Sequence, residues 1–265
     1  MSAATTTPAA QVSDSGPGIP FTRLVQVELR KMFNTRSGFW LMMSILIVAV
    51  IATLVVILFV PDSGITYATF GSAFGVPMAL LLPIVAILCV TGEWSQRTGL
   101  VTFTLVPHRG SIIAAKAAAA VLVGVVSMAL AFAIGAVGNV IGAAVNGLDP
   151  VWDASFKDLL LIVLANILGL LVGFMFGILF RNSAGAIVAY LVYAFVLPGL
   201  LGLLAALQDW FEKLQPWVDF NYAQTPLFDG GPSGEEWAQL GTSGLIWFVI
   251  PMAFGVWRVL RAEVK

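Results

Sequence analysis

Long apolar stretches that lack Asp, Glu, Lys and Arg recur six times along the chain. They cover residues 37–61, 63–92, 117–148, 159–180, 182–208 and 237–257. Each reaches the roughly 20 residues that a helix needs to cross the hydrocarbon core of a bilayer. A charge at mid-bilayer costs about 2.5–3.5 kcal/mol, and a lone strand would leave unpaired backbone groups in lipid. The pattern predicts an all-α integral membrane protein with six transmembrane helices, at about 38–60, 70–92, 113–143, 159–180, 183–207 and 240–259.

A different pattern precedes the first window, over residues 21–36. It predicts an amphipathic helix that lies in the membrane interface, with its basic groups toward anionic head groups. A plain juxtamembrane linker is the alternative. Residues 1–20, which contain Pro, Ser, Thr and Gly, are predicted to be a disordered tail. The apolar side of the predicted helix holds Phe21, Val25, Leu29, Met32 and Phe33, and the polar side holds Arg23, Gln26, Arg30 and Asn34, with Lys31 also basic.

Basic and acidic residues fall on opposite sides of the six predicted helices. Of the 13 Lys and Arg residues, only Lys157 and Lys213 lie in connections that follow an odd-numbered helix. These connections are on the side of the membrane opposite to both termini. Lys and Arg accumulate on the cytoplasmic side of membrane proteins, so both termini are predicted to be cytoplasmic. The composition fits a chain whose exterior faces lipid, because 59% of its 265 residues are hydrophobic and 10% are charged.

The connection between the second and third predicted helices, residues 91–116, mixes charge with apolar bulk. Exposure of Phe103, Leu105 and their apolar neighbours to water would be unfavourable. We therefore expect this connection to lie under the membrane domain or to dock on a partner. A re-entrant connector that ends in a turn at Pro107 is the alternative interpretation.

Glycines recur at helical spacing in two of the predicted helices. Gly169, Gly173 and Gly177 share one face of the fourth helix, and Gly138 and Gly142 share a face of the third. Such faces allow two helices to approach closely. They predict helix packing within one subunit, with a dimer seam as the second interpretation.

The last outside connection, residues 208–239, is rich in aromatic residues, among them Trp210, Trp217, Phe220 and Tyr222. Trp and Tyr are favoured at the membrane–water interface. This connection is predicted to fold back onto the outer interface as part of an aromatic belt. The more specific alternative is that this connection forms a lid over the exit of a substrate pathway.

Several kinds of chemistry are missing from the sequence. There is no G-x-x-x-x-G-K-[ST] phosphate loop, no G-x-S-x-G and no H-E-x-x-H. The single histidine, His108, and the single cysteine, Cys89, exclude a zinc cluster, a His-based triad and an internal disulfide. The charge-free windows disfavour a proton- or sodium-coupled pump, which often places an ionisable group near mid-membrane. Energy for transport is expected to come from another subunit.

Several segments together resemble permease subunits of ABC transporters of the type-2, export-type class. Residues 27–41, VELRKMFNTRSGFWL, resemble the interfacial elbow helix of that family as it runs into the first span. The series GEWSQRT, VPHRG and AAK at 92–98, 106–110 and 114–116 is similar to its cytoplasmic coupling segment. Three other segments also fit: Arg181-Asn182-Ser183-Ala184 after the fourth predicted helix, the stretch QPWVDFNYAQTPL at 215–227 and the basic C-terminal end.

The resemblance implies a non-catalytic permease that works with other subunits. Two ABC ATPase subunits would bind ATP and Mg²⁺, and a second permease copy or a related subunit would complete the pathway in a bacterial plasma membrane. No metal, no cofactor in this chain and no nucleic acid is expected. The residues expected to contact the ATPase, in the coupling segment 93–110, are Glu93, Trp94, Arg97, Thr98, Phe103, Leu105, Pro107, His108 and Arg109.

Residues 21–265 are thus predicted to form a single permease domain. Three alternatives stay open on sequence alone. The first is a substrate-binding membrane subunit of a vitamin-type importer, against which the amphipathic first helix and the residues 92–110 argue. The second is a secondary transporter that uses backbone carbonyls as its ion ligands. The third, a lipid-modifying membrane enzyme, lacks the clustered His, Asp or Glu that it would need.

Overall fold

A computed structural model of the chain describes residues 19–34, 36–95 and 109–261. These residues are helical almost throughout, and within them the β-type pairing is an isolated parallel bridge between Thr66 and Val151. Six helical stretches in this part of the chain are long and apolar enough to cross a membrane, which confirms the prediction of six spans. Spans one to six are Gly38–Phe59, Gly75–Gly92, Gly110–Val145, Phe156–Phe180, Ser183–Leu207 and Gly234–Arg261.

The helices run in the following order along the chain. The first helix, α1, precedes span one, and short helices connect some of the spans. The bounds are α1 Phe21–Asn34, α2 Arg36–Phe59, α3 Tyr67–Ala73, α4 Gly75–Ser95, α5 Arg109–Val145, α6 Phe156–Phe180, α7 Ser183–Leu191, α8 Leu197–Leu207, α9 Asp209–Val218, α10 Phe220–Ala223, α11 Gly234–Gly244 and α12 Ile250–Arg261. Short 3₁₀ turns lie at Asp62–Gly64 and Thr225–Leu227, and π-helical segments at Val192–Val196 and Leu245–Val249.

Contacts between the connections define two opposite faces of the bundle. On one face, which we call the basic face, the end of span two meets the start of span five through a hydrogen bond between the Thr91 and Ser183 hydroxyls at 2.7 Å. On the other, the acidic face, the Ala68 N–H donates to the Asp153 carboxylate at 2.8 Å. The Lys157 ammonium also donates to the Gly230 carbonyl there, at 3.0 Å. The six spans therefore alternate in direction, as short connections require.

Spans two and four form the centre of the molecule. Their fully buried side chains include Met78 and Leu82 from span two, and Leu170 and Phe174 from span four. Spans one, three and six pack around this pair. A second apolar cluster joins spans four and five to the acidic-face connection that contains Phe220 and Leu227. Burial of apolar side chains between the helices thus continues from one face to the other.

Span two begins later than its hydrophobicity predicts. The apolar pattern predicts a helix from residue 70, whereas the chain makes a turn at Phe74 and the spanning helix begins at Gly75. The preceding residues form α3, whose first turn is capped by the Thr66 hydroxyl accepting from the Thr69 N–H. Gly75 has a low intrinsic preference for the helix interior, and the turn keeps both Phe70 and Phe74 buried. The correction is therefore an interruption of the helix at Phe74, inside a continuous apolar run.

Glycines let the central helices approach each other closely. A Cβ at Gly173 would lie 2.6 Å from the Pro83 carbonyl oxygen, and a Cβ at Gly177 would lie 3.1 Å from the Val90 side chain. In span three, a Cβ at Gly138 would lie 2.4 Å from the Thr53 side chain. A Cβ at Gly169 would meet nothing within 4 Å, so this glycine differs from the two that follow it at the same spacing.

Spans five and six share an irregularity that the sequence explains. Each contains a five-residue π-helical segment, and each segment ends two residues before a proline, Pro198 or Pro251. A proline has no N–H to donate, and its ring clashes with the carbonyl four residues earlier in a regular helix. In both spans that carbonyl, of Ala194 or Trp247, lies within the π-helical segment. The wider π turn relieves the clash without ending the span.

The connection between spans five and six folds into helices on the acidic face. Phe211 and Phe220 are buried there, and the buried Asp219 carboxylate accepts from the N–H groups of Asn221 and Tyr222. The Trp247 indole of span six donates to the Val218 carbonyl at 2.6 Å. The aromatic connection thus forms a packed helical cap on this face.

Candidate coupling site on the basic face

The predicted coupling segment lies between two helices that the structure describes. Span two's helix ends at Ser95 and span three's helix begins at Arg109. Trp94 is half-buried and packs against the main apolar core. For Glu93 and Arg109 only the helical backbone is described. The other predicted docking residues, Arg97, Thr98, Phe103, Leu105, Pro107 and His108, lie outside the described residues.

A buried ion pair joins α1 to span three beside this segment. The Lys116 ammonium lies 2.5 Å from the Glu28 carboxylate, and both side chains are about 5% exposed. The same carboxylate binds the Lys31 ammonium at 2.7 Å. Lys116 also donates to the Cys89 carbonyl of span two at 3.4 Å. Three elements, α1, span two and span three, therefore meet at one charged centre.

The position of Glu28 follows from the periodicity of α1. Val25, Glu28 and Met32 are spaced by three and four residues, so they project from the same side of the helix. Met32 is buried and Val25 packs against the core, and Glu28 is brought to the bundle between them. Phe21 and Phe33 remain about half exposed at either end. The acid thus occupies the middle of the stripe through which α1 contacts the spans.

The hydrophobic and charge patterns of the sequence do not single out Glu28. Two signals were present: a carboxylate inside an otherwise apolar stripe, and Lys116 at the edge of a charge-free window. A buried charge is tolerated only when it is paired and hydrogen-bonded. Together these two residues could have indicated an interhelical pair, although the sequence alone does not say which acid approaches Lys116.

The turn between spans four and five forms a second part of the basic face. Arg181 ends span four in a left-handed conformation, with φ 51°, and its N–H donates to the Gly177 carbonyl. Asn182 then caps span five, because its side-chain oxygen accepts from the Gly185 N–H at 2.9 Å. The turn is held to span two by the hydrogen bond between Ser183 and Thr91.

Arg181 adds positive charge to this face. Burial lowers the pKa of the Arg181 guanidinium, and the nearby positive charge of Arg258 lowers that pKa further. Its Nε atom is buried and has no hydrogen-bond partner among the described residues. Arg181 and Arg258, together with the exposed Arg30 and Arg36, make the basic face electropositive. Such a face favours contact with acidic groups.

The remaining predicted site residues lie away from this face. Trp210 and Tyr222 are exposed on the acidic-face cap, Trp217 is half-buried and Phe220 is buried. Within the described residues, no group of three or more His, Cys, Asp or Glu side chains could hold a metal ion. The charged groups that the structure brings together are those of the basic face.

Comparison with known protein families identifies a match over most of the chain. Residues 24–197 match the family described as ABC-2 family transporter protein. The match begins within α1, includes the coupling segment and both residues of the buried ion pair, and ends at the start of α8. The acidic-face cap and span six lie outside it. No curated protein matches the chain.

Proposed function

Because the chain belongs to the ABC-2 transporter family, we propose that it is the permease subunit of an ATP-driven exporter. Membership makes the chain a multi-pass membrane component of an ABC transporter. The direction of transport, the ATP coupling and the assembly are our proposal. In it, two permease copies or two related subunits form the pathway in a bacterial plasma membrane. Two ATPase subunits bind ATP and Mg²⁺ below them.

The orientation that we propose puts the basic face in the cytoplasm. The Lys and Arg residues of the described part are concentrated on this face, and such residues accumulate on the cytoplasmic side. The coupling segment 93–110 would then face the ATPase subunits. The acidic-face cap would lie outside the cell, above the pathway.

The observation that carries the coupling proposal is the buried pair of Glu28 and Lys116. Lys116 lies seven residues after Arg109, about 10 Å along the helix that leaves the coupling segment. A rigid helix that is pushed at its first turn moves the lysine with it. Because Lys116 is bound to Glu28, such a movement also displaces α1 at the membrane interface. The pair thus gives an ATPase subunit a mechanical connection to two elements of the permease.

Copurification from the source cells tests the proposed function. We expect the tagged full-length chain to retain an ABC ATPase subunit, identified by mass spectrometry, and the complex to hydrolyse ATP. The chain stripped of that subunit is expected to show no hydrolysis, because it lacks a phosphate loop. Hydrolysis by the chain alone, or retention of no ATPase under conditions that keep the chain folded, would contradict the proposal.

A further inference from the structure

An apolar groove lies between α1, span one and span three. Its volume is about 330 Å³. Five lining residues are buried, and three of them have small side chains: Ala49, Ser127 and Ala131 are small, whereas Ile45 and Val123 are larger. Larger residues, among them Leu46 and Leu130, stand exposed at its rim. Small residues below and large ones at the edges give the groove its depth.

The groove lies at the level of the membrane. Its walls are residues 42–49 of span one and 122–134 of span three, with Leu29 and Phe33 of α1 at one end. From Leu122 to Ile134 the wall is about 18 Å long. One leaflet of the hydrocarbon core is about 15 Å deep. Ser127 is the one polar side chain among the lining residues, so the groove suits a hydrocarbon chain.

Positive charge at the end of the groove next to α1 favours an anionic lipid head group. Arg30 follows Leu29, which lines the groove, and is exposed on the polar side of α1, and Arg36 is exposed three residues after Phe33, at the start of α2. Glu28 is the only acidic residue between positions 19 and 59, and its carboxylate is bound by Lys116 and Lys31. The mouth of the groove is therefore electropositive and attracts an anionic phosphate.

We propose that this groove binds one acyl chain of an anionic phospholipid, whose phosphate lies against Arg30 and Arg36. The lipid fills the space between α1 and spans one and three. The site is independent of the ATPase coupling proposed above, so each can fail without the other.

Photoreactive lipids test this site. The full-length chain is reconstituted with phosphatidylglycerol that carries a diazirine in its acyl chain, and cross-linked peptides are mapped. We expect cross-links to concentrate on residues 42–49 and 122–134. Ser127→Leu is expected to lower them about tenfold, the effect of excluding about two methylene groups from burial. Val125→Leu, on the exposed surface of the same helix, should leave them unchanged.

Two further variants separate the parts of the site. Replacement of Arg30 and Arg36 by Gln should abolish the preference for phosphatidylglycerol over phosphatidylcholine with the same tail, while cross-links from phosphatidylcholine persist. If Ser127→Leu does not fold, Leu130→Trp at the exposed rim blocks the same groove from outside. Loss of cross-links in that variant supports the site equally.

Three outcomes would overturn the proposal. Cross-links spread evenly over the exposed surface of span five would show annular lipid only. Unchanged cross-links in folded Ser127→Leu and Leu130→Trp would show that the lipid lies elsewhere. A disulfide between two copies of a Val126→Cys, Cys89→Ala variant, without lipid cross-links, would assign the groove to a second copy of the chain.

Discussion

At the scale of single residues, the main feature of the basic face is the buried ion pair of Glu28 and Lys116. Glu28 and Lys116 are both withdrawn from water, so the removal of either one leaves the other charge buried with one partner fewer. Such pairs contribute little net stability relative to apolar residues of similar size, but the removal of one partner is strongly destabilising. The pair therefore specifies where α1 sits more than it stabilises the fold.

The first prediction concerns this pair. Glu28→Ala should lower the free energy of unfolding by about 3–5 kcal/mol, because it leaves the Lys116 ammonium buried with fewer partners. The double variant Glu28→Met with Lys116→Met should recover most of this loss, because it removes both charges. Thermal unfolding in one detergent measures both changes. Arg30→Ala, at an exposed position of the same helix, is the control and should stay within about 0.5 kcal/mol.

A double variant no more stable than Glu28→Ala would contradict this account. It would mean that the methionine side chains cannot fill the space that the ion pair occupies, or that other partners of Lys116 dominate its energetics.

A second residue-scale prediction concerns docking of the ATPase. Phe103→Ala should weaken binding of the copurified ATPase subunit by about 1–3 kcal/mol, since interfaces concentrate their energy in a few apolar anchors. The isolated permease should keep its thermal stability. Phe59→Ala, an exposed phenylalanine on the acidic face, is the matched control. If Phe103→Ala instead lowers the yield of folded permease and leaves docking intact, Phe103 packs against its own chain.

At the scale of helices, hydrophobicity predicts where a span is but not its internal shape. The end of span four follows from the charge at Arg181, whereas its helix begins at Phe156, before the charged Lys157 and Asp158. The turn at Phe74 falls within an unbroken apolar run, where no polar residue marks it. The π-helical segments before Pro198 and Pro251 escape prediction because a proline only indicates a distortion, and the neighbouring helices decide its form.

The glycines of span four give a prediction with an internal control. Gly173→Ala should destabilise the protein by about 1–3 kcal/mol, because the added methyl would overpack against the Pro83 backbone. Gly169→Ala, one turn earlier on the same face, should leave stability unchanged or raise it, because its methyl meets open space. Thermal unfolding of the two variants under identical conditions compares them. Equal destabilisation would show that spans two and four do not approach as closely as described.

At the scale of the whole molecule, the charge pattern gave the number of spans and the two faces, but not the contacts that join them. Lys116 and Glu28 are 88 residues apart in sequence, and nothing local indicates that they meet. Similarly, Asn139 is an isolated polar residue in the apolar pattern of span three. In the structure it is fully buried and donates to the Val151 carbonyl at 2.9 Å. Such long-range contacts depend on the packing of all six spans.

The last prediction tests the orientation of the whole bundle. In a Cys89→Ala background, single cysteines replace Asp229 on the acidic face and Arg261 at the end of span six. A membrane-impermeant thiol reagent added to intact cells should label position 229 and not position 261, because the positive-inside tendency places the basic face in the cytoplasm. Permeabilised cells should label both, since both positions are exposed in the structure. Labelling of position 261 but not 229 from outside would show that the bundle has the opposite orientation. The coupling segment would then lie beyond the reach of any cytoplasmic ATPase.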